Sequence, residues 1–97
     1  MASNSSRSKY YNVTVEGIGL RIPKDVIDDI EVVELLGEVQ DGNIFSFAKL
    51  AKLMFGEEGY KKVKDGLADK SGRTKVSDMS DFFTKVLTAC NALAAKN

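Results

Sequence analysis

The sequence predicts a mainly α-helical fold, a small bundle of about four helices with an N-terminal β-hairpin or short β element, and three observations carry that prediction. Alternation of apolar and polar residues is confined to the beginning of the chain, from Tyr10 to Ile22. Apolar residues at helical spacing run through everything after Pro23. The gaps between periodic segments hold turn chemistry, at Asp41-Gly42-Asn43, at Gly56 and at Asp69-Lys70-Ser71-Gly72-Arg73-Thr74. With 97 residues there is material for one hydrophobic core, since a chain of this size buries roughly 60 to 70% of the surface that its unfolded form exposes.

Met1 to Lys9 is Ser-rich and carries Arg7 and Lys9, so residues 1–9 are expected to form a flexible arm and residues 10–97 a single mainly helical domain. Tyr11, Val13 and Val15 alternate with Asn12, Thr14 and Glu16, the signature of a half-buried strand. Gly17 and Gly19 interrupt it, and Leu20-Arg21-Ile22 returns as a second short strand that Pro23 stops. Val26, Ile30, Val33 and Leu36, flanked by Ile27, Val32, Leu35 and Val39, predict a first helix beginning between Lys24 and Asp29. A second helix is expected from Ile44 to Phe55, with Gly56 as its stop. Glu57 to Ala68 reads as a third, with Tyr60, Val63 and Leu67 on its inner face. Ser77 is a plausible N-cap for a last helix striped by Met79, Phe82, Phe83, Val86, Leu87, Cys90 and Leu93.

Composition narrows the functional classes. Fourteen basic residues balance fourteen acidic ones, so the chain as a whole lacks the cationic surplus with which a protein displaces counterions from phosphates, and nucleic acid is not an expected partner. With no histidine and a single cysteine, Cys90, the usual zinc-ligand sets and the commonest general base are missing; no cofactor or metal and no enzymatic activity are expected. Cys90 falls in an apolar stripe and reads as a buried thiol. Gly-Glu-Glu-Gly at 56–59 lacks the Gly-Lys-Ser/Thr ending of a phosphate loop. No secretory signal and no apolar run of about 18 residues occur, so the chain reads as soluble and intracellular.

The second helix carries the strongest binding signal. Only Ser46, Lys49 and Lys52 are polar between Ile44 and Phe55, and a helix apolar on nearly all sides must be covered on nearly all sides. Phe45, Phe47, Leu50, Met54 and Phe55 are the candidate partner-binding residues; the competing readings are that they are core, or that self-association hides them. Each large side chain left in water forgoes ~1.5 to 3 kcal/mol. The acidic set Asp28, Asp29, Glu31, Glu34 and Glu38 lacks the alternating ligand pattern of a calcium loop and reads as a solvated helix face. Opposite in sign stand Lys49, Lys52, Lys61, Lys62, Lys64, Lys70, Arg73 and Lys75. Asp28, Asp29, Glu34, Lys49 and Lys52 are candidates for charge-mediated packing or head-to-tail assembly. An alternative is a small helical DNA-binding or regulatory module using the Lys-rich 49–75 region.

The blocks Asp28-Asp29-Ile30-Glu31-Val32-Val33-Glu34-Leu35-Leu36, Asp41-Gly42-Asn43, Leu50-Ala51-Lys52-Leu53-Met54-Phe55-Gly56-Glu57-Glu58 and Gly72-Arg73-Thr74-Lys75-Val76-Ser77, in this order and spacing, resemble the tail assembly chaperones of long-tailed (siphovirus-type) bacteriophages. The resemblance covers most of residues 11 to 95. It implies a non-enzymatic factor of the host cell cytoplasm, absent from the mature virion, that coats and solubilises the tape measure protein and recruits tail tube protein. It further implies a possible homo-oligomer and a longer, frameshifted form; Ala95-Lys96-Asn97 is compatible with a slippery run of A residues in the gene.

Overall fold

The computed structural model describes residues 9–95; the flexible arm expected over residues 1–9 therefore lies, except for Lys9, outside the described residues. Lys9 itself belongs to the folded part, because its carbonyl accepts the Lys24 N–H at 2.9 Å. The described chain is mainly helical with an N-terminal antiparallel hairpin, as the sequence predicts: β1 Tyr10–Val15, β2 Ile18–Pro23, α1 Lys24–Ile27, α2 Ile30–Gln40, α3 Ser46–Leu67 and α4 Val76–Ala95.

Glu16 and Gly17 form the two-residue hairpin loop, both at positive φ (52° and 78°), the arrangement whose twist matches that of the flanking strands. The register Tyr11↔Ile22, Val13↔Leu20, Val15↔Ile18 lines the inward residues up on one face. Val13, Val15, Ile18, Leu20 and Ile22 are all buried, and Gly19, expected to interrupt, lies within β2 on the other face. One face of this ribbon is thus entirely apolar, and α3 and α4 cover it.

The predicted first helix is split. Asp28 and Asp29 separate the single turn of α1 from α2, and Asp29 accepts the Glu31 N–H on its carboxylate at 2.8 Å, an N-cap that starts a new helix. The interruption changes which stripe is inside. Val32 and Leu35 are buried, with Leu36 and Val39 half-buried against the core, whereas Ile30 and Val33, predicted as inner positions, face water. At 100° per residue they stand on the side of α2 opposite Val32, Leu35 and Val39.

α2 ends in paired carbonyl caps, with the Gly42 N–H donating to the Val39 carbonyl and the Asn43 N–H to the Glu38 carbonyl at 3.0 and 2.9 Å. Gly42 takes φ 97° to allow this. α3 then begins at Ser46, so Ile44 and Phe45, expected on the helix, belong to the turn. At Gly56 (φ 74°, ψ 170°) α3 breaks into two arms, which is where the sequence places the stop between its second and third helices. α4 starts one residue ahead of the expected cap. Its first bond runs from the Met79 N–H to the Lys75 carbonyl, putting Ser77 inside the first turn.

Close approach makes Gly66 a packing residue. A Cβ there would lie 2.6 Å from Ile18 Cδ1 and 2.9 Å from its Cγ1. Gly66→Ala gains up to ~1 kcal/mol of helix propensity but overpacks a buried contact at a cost of ~1 to 3 kcal/mol, so a net loss of about 1 kcal/mol is expected in urea melts. Gly37→Ala in α2, where nothing lies within 4 Å, is expected to shift the midpoint the other way.

Candidate functional site

The apolar surplus is smaller than the sequence suggests and sits at one end of α3. Leu50, Met54 and Phe55, expected at a partner surface, are buried core residues; the first arm of α3 lies between α2, the hairpin and α4 and uses them to fill the centre. Phe47 is half-buried, while Ile44 and Phe45 remain exposed at 53% and 88%. Of the five candidate binding residues, the structure leaves Phe45 fully and Phe47 partly accessible.

The backbone at Phe45 is held by local chemistry. Its N–H donates to the Asn43 side-chain carbonyl at 3.1 Å, and the Asn43 amide and the Ser46 hydroxyl both donate to Glu38 Oε1, at 3.4 and 2.5 Å. Glu38, read from sequence as one of a solvated set, is the clamp of this turn. The signal was present in Asn43 and Ser46, whose side chains favour such local bonds.

Beside the turn lies an apolar groove of about 190 Å³ lined by Ile44, Phe47, Tyr60, Lys64, Thr74, Lys75, Val76 and Met79, somewhat larger than the ~150 Å³ cavity that accepts a benzene ring. Phe47 stacks on Phe83 (centroids 5.8 Å), Phe83 on Phe55 (5.5 Å), and Phe55 meets Phe82 edge-on (6.1 Å). Four of the five phenylalanines therefore form one ladder from groove floor to core, and the fifth is Phe45.

The far wall is a braced loop. Asp69 accepts from the Ser71 hydroxyl, the Ser71 N–H and the Arg73 N–H at 2.6, 2.8 and 3.2 Å. The Ser71 hydroxyl first, then these N–H groups, hold its carboxyl below the usual carboxylate range. The Thr74 hydroxyl donates to the Lys64 carbonyl at 2.7 Å, pinning the loop to the second arm of α3. Val76, 51% exposed, forms the upper lip. Sequence reasoning missed Val76, Tyr60 and Thr74 as site residues, because their convergence is tertiary.

The charge-assembly candidates scatter. Lys49 approaches Glu31 across α2 and α3 at 3.6 Å, Asp29 caps α2, and Asp28, Glu34 and Lys52 are exposed without an ion pair among the described residues. The Lys-rich 49–75 stretch is not one cationic patch: Lys61 pairs with Asp65 at 3.0 Å, Lys62 donates to the Gly19 carbonyl at 2.8 Å, and Lys64 lies over the Tyr60 ring at 4.5 Å. Cys90 is wholly enclosed, and burial pushes its thiol pKa up. Among the described residues no group of three or more His, Cys, Asp or Glu could hold a metal ion, and no helix is long and apolar enough to cross a membrane. No protein-family profile, curated protein or solved structure matches the chain.

Proposed function

We propose that the chain is a non-enzymatic tail assembly chaperone of the long-tailed phage type, which holds a helical, apolar-striped client such as the tape measure protein soluble and brings tail tube subunits to it. The observation that carries this reading is Phe45, 88% exposed on a turn whose backbone Asn43 braces, next to a groove lined by Ile44, Phe47, Tyr60 and Met79. Amphipathic helices are bound by such grooves through a few anchor side chains, and many weakly binding copies along a repetitive client gain avidity. Lys64 and Lys75 on the rim favour clients with acidic residues flanking the apolar stripe.

The test uses recombinant helical segments from the tape measure protein of a long-tailed phage. Wild-type protein is expected to keep such segments soluble on co-expression and to bind them in fluorescence anisotropy. Phe45→Asp and Ile44→Asp are expected to weaken binding by about tenfold or more each, the loss typical of an anchor residue, with far-ultraviolet circular dichroism unchanged because both side chains are solvent-facing. Equal binding by wild type and both variants, or none by any, would reject the reading.

A further inference from the structure

We infer that the groove reads two features of a client helix together: an aromatic side chain, which fills its apolar level, and a carboxylate one helical turn away, which Lys64 and Lys75 hold. The inference rests on the groove being the client site, and it names the helix that fits there. Tyr60 and Lys64 stand one turn apart on the second arm of α3. Met79 and Lys75 stand one turn apart where α4 begins, joined by the bond from the Met79 N–H to the Lys75 carbonyl at 3.1 Å. The Thr74 hydroxyl, 2.7 Å from the Lys64 carbonyl, draws the two lysine-bearing stretches together. The groove is therefore built in two levels ~5.4 Å apart, with a ring and a thioether at one and two lysines at the other.

These two lysines differ from their neighbours in having no acidic partner. Lys61 is occupied by Asp65 and Lys62 by the Gly19 carbonyl. Lys64 instead lies over the Tyr60 ring at 4.5 Å, and among the described residues neither it nor Lys75 forms an ion pair. An ammonium drawn onto the wall of an apolar groove meets a carboxylate with less water around both, where their attraction is stronger than in open solvent. At the other level, about 190 Å³ bordered by Phe47, Tyr60 and Met79 accommodates one ring, and the Met79 sulfur adds a favourable contact to it. Side chains at i and i+4 of a helix lie on one face at the spacing of the two levels. An aromatic residue and an acid so placed satisfy both.

Fluorescence anisotropy with three labelled helical peptides of about 20 residues tests this. Each carries one Phe. The first has Glu four residues after it, the second has Glu two residues after it, on the other side of the helix, and the third has Lys where the first has Glu. Wild-type protein is expected to bind the first about fivefold more tightly than the second, the upper range for a partly exposed ion pair, and the third most weakly. The double variant Lys64→Glu, Lys75→Glu changes two exposed side chains, so its circular dichroism is expected to match wild type, and its preference is expected to invert in favour of the third peptide. Equal binding of the first two peptides by wild type, a double variant that keeps the wild-type order, or no binding of any peptide overturns the inference. The proposed function is read separately, from wild-type protein and tape measure segments: if those segments are bound and kept soluble while the peptides show no ranking, the proposed function stands and the inference falls.

Discussion

Met54→Asp is expected to abolish the folded monomer at neutral pH. Met54 is fully buried in the cluster that joins the hairpin, α2, both arms of α3 and α4. The substitution forfeits ~1.5 to 3 kcal/mol of side-chain burial and leaves a carboxylate without a cationic partner in an apolar centre, a fault that costs ~3 to 5 kcal/mol where buried pairs have been broken. Together these reach the lower half of the ~5 to 15 kcal/mol that holds small domains folded, enough to unfold a chain of this size with its single small core. The penalty falls on the ionised form, so the introduced acid has a folded-state pKa above its unfolded value. Structure lost at neutral pH is then expected to return in part as pH falls towards the ordinary carboxylate range. Far-ultraviolet circular dichroism across pH checks both statements. The contrast with Phe45→Asp, which changes an equally greasy residue nine positions earlier in the turn before α3 and leaves the fold alone, separates surface from core.

The second large effect is expected at Gly56. Its φ of 74° and ψ of 170° lie in a region that is essentially reserved for glycine, and holding another residue there costs of order 1 to 3 kcal/mol. Gly56→Val is placed at the upper end, about 3 kcal/mol, because a β-branched side chain is least tolerant of positive φ. No neighbouring atom lies within 4 Å of the Cβ position, so the loss is in the backbone alone. The bend lets Leu50, Met54 and Phe55 before it and Val63 after it enter the same core. A straight helix of 22 residues would run about 33 Å and carry one arm past the hairpin. Urea denaturation is the direct measurement. A midpoint matching wild type would mean that α3 is free to take another path at this position.

Much of this architecture can be read from the residues, since periodicity and punctuation are local properties. The hairpin register follows from alternation between Tyr10 and Ile22, and the break at Gly56 follows from glycine in an otherwise helical run. The inner stripe of α2 is not legible in the sequence, because Val26 and Ile27 share helical spacing with Ile30 and Val33. Only the Asp29 cap, which restarts the helix, takes the two pairs out of phase. In the candidate site, Phe45 was legible as surplus, but Leu50, Met54 and Phe55 were not separable from it by composition. Which of several apolar residues on a crowded helix is covered depends on where α4 and the hairpin arrive. The groove's far wall depends on the Asp69 loop being tied to Lys64, a contact ten residues apart through Thr74 that no periodic signal announces.

The stack of rings from Phe47 through Phe83 and Phe55 to Phe82 means that the cleft has no floor of its own. A lineage that reshaped Phe47 to suit a different guest would disturb its partner Phe83 and, through it, the centre of the molecule. Recognition and folding robustness are thus inherited together here, and divergence in specificity is easiest at the rim, where Ile44, Lys75 and Val76 can vary without consequence for the interior.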